Sequence, residues 1–188
     1  MHEPLNSEAQ TSEDKTVVQL IVFRAGNEEF GINIDAVREI IKVGIITSIP
    51  ESPDFIKGII NVRGEIVTAI DIKSRFSLSV SKETESKHII VIKKDENLFG
   101  LIVDEVIEIL RILKKDIKSS PSLIDEINQK YVSGVIPHEG RLIVLLDLDQ
   151  VLSHQDLIPL PHLKKTKFIE KNHKSKNNRR DKKFTDLK

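Results

Sequence analysis

The chain has 188 residues, of which 39% are hydrophobic and 31% charged, enough apolar material for one folded domain or two small ones. Its 28 Ile, 17 Leu and 15 Val outnumber its seven Phe, one Tyr and no Trp, and this composition favours strands over helices. Because cysteine is absent, disulfides, thiolate zinc sites, iron–sulfur ligation and a cysteine nucleophile are excluded. No apolar run approaches the roughly 20 residues of a membrane span and residues 1–15 do not resemble a signal peptide, so we expect a cytoplasmic protein.

The formal net charge of zero hides a strong asymmetry along the chain. Residues 163–188 contain eleven Lys or Arg against three acidic residues, a net charge of +8, so the preceding residues carry −8. Such polar segments cannot bury enough apolar surface to become ordered. We therefore expect a disordered N-terminus at 1–15 and a flexible basic tail at 159–188.

Between these ends, short apolar runs alternate with turn signals in an all-β pattern. In chain order, the predicted strands are Thr16–Phe23, Phe30–Ile34, the two arms of a hairpin at Ile59–Ile72, His88–Lys93, Leu98–Val103, Val132–Ile136 and Arg141–Leu148. Arg63-Gly64 forms the hairpin tip, because glycine tolerates the positive φ that such turns require. Ser52-Pro53-Asp54 predicts a helix of about one turn.

An internal repeat runs through the predicted strands. Residues 30–41 (FGINIDAVREII) align with residues 99–110 (FGLIVDEVIEIL), identical at six of twelve positions with an offset of 69. Residues 58–72 align with residues 134–148 at an offset of 76. Each half, 16–84 and 85–158, has the length of one small five-stranded barrel, with exchange of strands or helices between halves left open. A groove between two such barrels is a usual place for a binding site.

Motifs that would support catalysis or cofactor binding are missing from the sequence. It contains no G-x-G-x-x-G, Walker loop, G-x-S-x-G or H-E-x-x-H motif, and its six histidines are scattered. Asp147 and Asp149 resemble an acidic pair, but a solvated strand end is the favoured interpretation. Asp71 and its repeat partner Asp147 each follow a hairpin, where we expect them to cap backbone N–H groups. We predict no enzyme activity, cofactor or metal.

Two charged residues and the basic tail have alternative interpretations. Arg63 lies at a hairpin tip with apolar flanks, and Glu39 lies in the apolar run Val37–Ile41. Arg63 is either a solvated turn residue or a charged anchor at a protein interface, where Arg is enriched. Glu39 is either part of a solvated strand or helix face or such an anchor. The tail is either a nonspecific extension or a binder of anionic lipid or nucleic acid.

The motifs EEFGINIDAVREI (residues 28–40), IPESPDFIKGIINVRG (49–64), FGLIVDEV (99–106) and YVSGVI (131–136) resemble the CheW family of chemotaxis coupling proteins. The resemblance covers about residues 16–155. It implies two tandem SH3-like five-stranded β-barrels with short helices, and a noncatalytic adaptor recruited from the cytoplasm to membrane receptor arrays. The implied partners are the regulatory domain of the histidine kinase CheA, the cytoplasmic tip of methyl-accepting chemotaxis receptors, and other CheW-like domains in rings.

The resemblance also implies four partner-binding residues, Val37, Glu39, Gly58 and Arg63, which occupy the family's V-x-E-I and G-x-x-N-x-R-G positions. An ion pair or shared interface between Glu39 and Arg63 is a hypothesis. Val62 replaces a leucine of the family pattern and Thr68 a proline; both suit strands. The alternative function is a small β-barrel protein that binds nucleic acid through its basic tail.

Overall fold

The computed structural model of the protein describes residues 16–78, 88–119 and 129–153. The predicted disordered segments, 1–15 and 159–188, lie outside the described residues. The described chain is all-β, as predicted, with two five-stranded sheets and two one-turn helices. The elements are β1 (Val17–Ala25), β2 (Glu28–Asn33), β3 (Val37–Lys42), β4 (Ile56–Val62), β5 (Glu65–Asp71), α1 (Ile72–Arg75), β6 (His88–Lys94), β7 (Asn97–Val103), β8 (Glu105–Leu113), β9 (Val132–His138), β10 (Arg141–Leu146) and α2 (Leu148–Val151).

Each sheet takes strands from both halves of the internal repeat. Sheet A has the order β8-β1-β2-β10-β9, and sheet B has the order β3-β6-β7-β5-β4. The hairpin β1–β2 is therefore completed by three strands from the second half, and the hairpin β6–β7 by three strands from the first. The β2–β10 and β5–β7 pairs are parallel, whereas the other pairs within the two sheets are antiparallel. Neither sheet coincides with a sequential half, 16–84 or 85–158.

Both sheets close on themselves through a short bridge beside an edge strand. In sheet B, the chain leaving β3 returns so that Thr47 and Ile59 of β4 exchange two backbone hydrogen bonds of 2.8 Å. In sheet A, Lys118, after β8, exchanges two bonds of 2.8 and 2.9 Å with Val135 of β9. These bridges pair the backbone of the edge strands β4 and β9, which would otherwise be open to other chains.

A glycine lies beside each closing bridge because the two backbones approach too closely for a side chain. A Cβ on Gly58, whose φ is +142°, would lie 2.1 Å from the carbonyl oxygen of Thr47. A Cβ on the repeat-equivalent Gly134 would lie 2.8 Å from the carbonyl oxygen of Lys118. The two aligned glycines of the repeat therefore have the same structural role, one in each sheet.

The apolar side chains form one core inside each sheet and a larger core between the sheets. The inter-sheet core contains 17 buried residues, against seven inside sheet B and six inside sheet A. Strand β1 shows how one strand serves two cores, since Leu20 and Val22 face the interior of sheet A while Ile21 and Phe23 face sheet B. Burial on both faces explains why β1, β6 and β7 contain continuous apolar runs, whereas the edge strands β3 and β4 alternate in burial.

A chain of aromatic rings runs through the inter-sheet core. Phe23 stacks on Phe30 with ring centroids 5.8 Å apart, Phe30 stacks on Phe76 at 5.7 Å, and Phe76 meets Tyr131 edge to face at 5.5 Å. These are preferred geometries for aromatic pairs. With Phe99, five of the chain's eight aromatic residues therefore lie where the two sheets meet.

Asp71 and Asp147 cap the two short helices, as predicted. The carboxylate of Asp71 accepts a hydrogen bond from Lys73 N, and that of Asp147 accepts bonds from Asp149 N and Gln150 N. Each satisfies amide donors at the start of its helix.

Two local features differ from the sequence predictions. The segment Ser52-Pro53-Asp54 forms a turn, not a helix: Ile56 N bonds Pro53 O, and Ser52 Oγ donates to the carbonyls of Ile49 and Ile56 instead of accepting from amides. The structure also contains the strand β8, which the sequence analysis did not assign. None of the described helices is long and apolar enough to cross a membrane.

The closing bridge of sheet B predicts a large effect for Gly58→Ala. The new Cβ would collide with the Thr47 carbonyl and force apart the bridge, so we expect the free energy of unfolding to fall by about 2 kcal/mol or more. Urea denaturation measures this change. Gly44→Ala is the matched control, because a Cβ there meets nothing within 4 Å. A Gly58→Ala protein as stable as Gly44→Ala would contradict the steric role.

Candidate partner-binding surface

The β4–β5 hairpin presents Arg63 at its tip, as the sequence predicts. Arg63 and Gly64 form a two-residue loop with φ values of +52° and +89°, the signature of a type I′ turn. Asn61 supports the turn, because its Oδ1 accepts a 2.8 Å hydrogen bond from Gly64 N. Arg63 is therefore a non-glycine residue held in the left-handed region, a conformation that costs of order 1 kcal/mol.

Glu39 pairs with Arg63. Strand β3 places Glu39 opposite Val91 of β6, and the Glu39 Oε2 atom lies 3.2 Å from Nη2 of Arg63. The Glu39 side chain is 18% exposed and that of Arg63 is 79% exposed. The hypothesis of an ion pair is confirmed. It joins strand β3 to the β4–β5 hairpin, which are brought together because sheet B closes.

The other two predicted residues occupy different surroundings. Val37 begins β3, opposite Ile92, and packs half-buried against the inter-sheet core. Gly58 lies at the bridge to Thr47, where its missing side chain is a structural requirement. The structure thus joins Glu39 and Arg63 in direct contact, whereas Val37 and Gly58 shape the strands that carry them.

A second ion pair, not anticipated from the sequence, also joins β3 to the β4–β5 hairpin. Arg38 Nη2, on β3, is 2.5 Å from Glu65 Oε2 at the start of β5. The hydrogen bond from Arg38 lowers the pKa of Glu65, and the same contact raises the pKa of Arg38. The pair lies in an open depression of about 720 Å³ lined by Asp35, Ala36, Val37, Arg38, Glu65, Lys93 and Asp95.

Large apolar side chains are exposed at repeat-equivalent positions of the two sheets. In sheet B, Ile40 on β3 and Ile66 on β5 are exposed. Their repeat partners in sheet A, Ile109 on β8 and Leu142 on β10, are exposed as well. Exposed apolar residues scattered singly need no explanation, but this arrangement recurs in both sheets. We call the exposed residues Ile40 and Ile66 together with the Arg63–Glu39 pair surface B, and the exposed residues Ile109 and Leu142 surface A. Within surface B, Glu39 and Ile40 project from opposite faces of β3.

Surface A has its own charged residues, arranged differently from those of surface B. Glu108 is the repeat equivalent of Glu39, and its Oε1 lies 2.7 Å from Nη2 of Arg141. The hairpin tip of sheet A carries Glu139, at a φ of +48°, where sheet B carries Arg63. The two tips therefore share a turn type and differ in the sign of their charge.

Arg141 belongs to a larger ion network. Its Nη1 lies 3.2 Å from Glu29, and Arg24 reaches both Glu29 at 3.4 Å and Glu105 at 3.0 Å. The hydrogen bond that Arg141 donates to Glu108 raises the pKa of Arg141. The repeat alignment of Glu108 with Glu39 was the available sequence signal for this network, although it does not reveal which arginine is the partner.

The acidic pair Asp147 and Asp149 takes part in structural contacts. Asp147 caps α2, and the carboxylate of Asp149 lies 2.9 Å from Nζ of Lys94. Within the described residues, no group of three or more His, Asp or Glu side chains is arranged to hold a metal ion.

Fold and site together define a class of protein. Two strand-exchanged five-stranded sheets each expose large apolar side chains at repeat-equivalent positions and carry a charged hairpin tip. The described chain is thus a small all-β protein with two related sheets.

The comparisons with known proteins identify the family. Residues 19–156 match the model of the CheW-like domain. The chain is 35% identical over 138 residues to the chemotaxis protein CheW of Rhizobium meliloti, covering 73% of this chain and 89% of that protein. It is 30% identical over 148 residues to CheW of Klebsiella aerogenes, covering 79% and 89% respectively. The chain belongs to the CheW family.

A solved structure agrees with this assignment. The crystal structure of the scaffolding protein TtCheW from Thermoanaerobacter tengcongensis superposes with a TM-score of 0.68 at 29% identity, covering 83% of this chain and 96% of that one. The alternative of a nucleic-acid-binding barrel finds no support among these relatives.

The Arg38–Glu65 contact predicts a pH effect with a defined sign. Because the pKa of Glu65 is lower in the folded protein than in the unfolded chain, the contact contributes stability above the unfolded pKa and loses it as pH falls through the folded pKa. Arg38→Gln should raise the pKa of Glu65 toward its ordinary value, as measured by carboxyl NMR titration. Arg63→Gln is the control, since Arg63 contacts Glu39. An unchanged Glu65 titration in Arg38→Gln would contradict the assignment.

The strained tip of surface A predicts a stabilising substitution. Asn tolerates the left-handed conformation better than Glu, so Glu139→Asn should raise the free energy of unfolding by about 1 kcal/mol. Glu139→Ala removes the same carboxylate without relieving the backbone and should not stabilise. Urea midpoints compare the two variants, and equal stabilities would argue against strain at this turn.

Proposed function

We propose that this chain is a noncatalytic adaptor that couples methyl-accepting chemotaxis receptors to the histidine kinase CheA. The observation that carries the proposal is the exposed Arg63 guanidinium at the tip of the β4–β5 hairpin, paired with Glu39 in the same sheet that exposes Ile40 and Ile66. The receptors and the kinase are separate proteins. The adaptor therefore contributes surfaces that bind both of them. Recruitment from the cytoplasm to membrane receptor arrays follows from the same proposal.

Arg63 suits a central role in binding for three physical reasons. The type I′ turn fixes its backbone, and the pair with Glu39 restricts its side chain, which lowers the entropy lost on binding. Its guanidinium offers five donors in a rigid fork. Arginine is also among the residue types that dominate binding energy when their surroundings are desolvated, and apolar neighbours exclude water from such a contact.

An adaptor must hold more than one partner at a time, and the repeat supplies a second surface. Surface A, with Ile109 and Leu142, lies on the other sheet and carries the acidic tip Glu139 where surface B carries Arg63. Opposite charges at equivalent places favour different partners for the two surfaces. We assign surface B to the regulatory domain of CheA, with Glu39 and Arg63 in contact with the partner and Val37 and Gly58 supporting the strands that carry them. Surface A then remains for the receptor tip or for another CheW-like domain in a ring.

The direct test is titration calorimetry of the full chain with the regulatory domain of CheA from the same organism. Arg63→Ala should weaken binding about tenfold or more, equivalent to about 1.4 kcal/mol or more. Arg111→Ala, which removes an exposed arginine from sheet A, is the matched control and should bind as the wild type does. Absence of binding by the intact chain, or equal affinities for the two variants, would contradict the proposal.

Two further variants separate the contributions of the tail and of the ion pair. A chain truncated after Pro161 should retain full affinity, because the proposed contacts lie on the sheets. The charge-reversed pair Glu39→Arg with Arg63→Glu should recover part of the affinity lost in Arg63→Glu alone if the internal pair positions the tip. A double variant that recovers no binding would count against that positioning role.

A further inference from the structure

The two short helices are each fastened to a hairpin turn of the opposite sheet. Helix α1 follows β5 of sheet B, and Nζ of its Lys73 lies 2.7 Å from Oδ1 of Asp104. The other carboxylate oxygen of Asp104 accepts a 2.7 Å hydrogen bond from Gly26 N, in the β1–β2 turn of sheet A. Asp104 N also donates to Arg24 O, at 2.9 Å. We call the Lys73–Asp104 pair the first latch.

A second ion pair, Lys94–Asp149, joins a helix of sheet A to a strand of sheet B, and we call it the second latch. Helix α2 follows β10 of sheet A, and Oδ1 of its Asp149 lies 2.9 Å from Nζ of Lys94, the last residue of β6 in sheet B. Lys94 Nζ also donates to the backbone oxygen of Asp149 at 3.1 Å. Lys73 and Asp149 are repeat equivalents, each two residues beyond the aspartate that caps its helix. Each helix is therefore tied to a hairpin turn of the other sheet, α2 directly through Lys94 and α1 through Asp104, which is not the repeat equivalent of Lys94.

The two latches differ sharply in burial. In the first latch the side chains of Lys73 and Asp104 are 14% and 4% exposed, whereas in the second those of Lys94 and Asp149 are 25% and 85% exposed. An ion pair open to solvent is screened by salt and holds weakly, while a buried pair is screened far less and is costly to break. Salt or substitution should therefore weaken the second latch more easily than the first.

Helix α1 makes further contacts with the opposite sheet beside the first latch. The guanidinium of Arg75 lies 4.3 Å from the centre of the Phe55 ring and 4.7 Å from that of Tyr131. Phe55 precedes β4 of sheet B, and Tyr131 precedes β9 of sheet A. Stacking of one cation between rings from the two sheets reinforces their contact on this side.

We propose that the first latch is a fixed pivot between the sheets and that the second latch is a releasable contact that sets the angle between them. Lys73, Asp104, Lys94 and Asp149 act as positioning residues. Because surface B and surface A lie on different sheets, opening the second latch changes the direction in which one surface faces relative to the other. That functional consequence rests on the proposed adaptor function, whereas the movement itself does not.

The movement is measurable by electron–electron double resonance on the full chain without any partner. The chain contains no cysteine, so Lys42→Cys on β3 and Arg111→Cys on β8 provide two unique labelling sites, one on each sheet, at exposed repeat-equivalent positions. At low salt the spin–spin distance should have one narrow distribution. In Asp149→Asn it should broaden and gain a second distance. About 1 M salt, with a Debye length of about 3 Å, should broaden it in the wild type too.

Two comparisons make the test decisive. Glu96→Gln is the matched control, because it removes an exposed carboxylate from the same β6–β7 turn and should leave the distribution unchanged. The exchanged pair Lys94→Glu with Asp149→Lys should restore the narrow distribution. A distribution in Asp149→Asn identical to that in Glu96→Gln, or an exchanged pair that stays broad, would overturn the proposal. Failure of kinase binding would leave these distances unaffected, so the two proposals fail separately.

Discussion

The packing of sheet A against sheet B is the contact on which the rest of the structure depends. It buries more residues than the interior of either sheet, and it does so with strands whose opposite faces are already buried inside their own sheet. A strand such as β1 cannot slip by one residue without exchanging Leu20 and Val22 for Ile21 and Phe23, which would disrupt two cores at once. The double burial therefore fixes the strand register within each sheet and, with it, which residues each sheet exposes.

Surface B shows how a small fold can hold a charged side chain ready for a partner. The type I′ turn would accept Asn or Gly at position 63 with less strain, yet the position holds an arginine that Glu39 orients from a neighbouring strand. Surface A retains the same turn with Glu139. The backbone of the repeat is thus kept in both sheets while the side chains at the tips differ, and that difference gives two similar sheets different binding properties.

Local signals were sufficient to predict much of the fold. Two-residue turns, Gly positions and Asp caps depend on residues close in sequence, so the β4–β5 hairpin and the caps at Asp71 and Asp147 were recognised correctly. The run Val37–Ile41 was ambiguous, because its apolar residues at 37, 40 and 41 have the spacing of a helix face while its β-branched residues favour a strand. Packing against β6 decides in favour of a strand.

The ion-pair partner of an individual side chain could not be predicted from residues close to it in the sequence. The repeat aligned Glu39 with Glu108, but their arginines, Arg63 and Arg141, come from different points of the two hairpins. Similarly, the contact between Arg38 and Glu65 exists because sheet B closes and brings β3 beside the β4–β5 hairpin. The closed sheet determines which charged residues form ion pairs. Their spacing along the sequence does not.

The exchange of strands also bears on how the molecule is made. Sheet B uses the continuous segment from Val37 to Val103, whereas sheet A needs the hairpin β1–β2 together with strands that end at Leu146. During synthesis the hairpin β1–β2 therefore leaves the ribosome well before β8 and β10, the strands that pair with it. Until they are made, both of its edges remain unpaired. Such long-range pairing is slow. The period of greatest risk for aggregation is thus set by the time needed to translate the residues between β2 and β10.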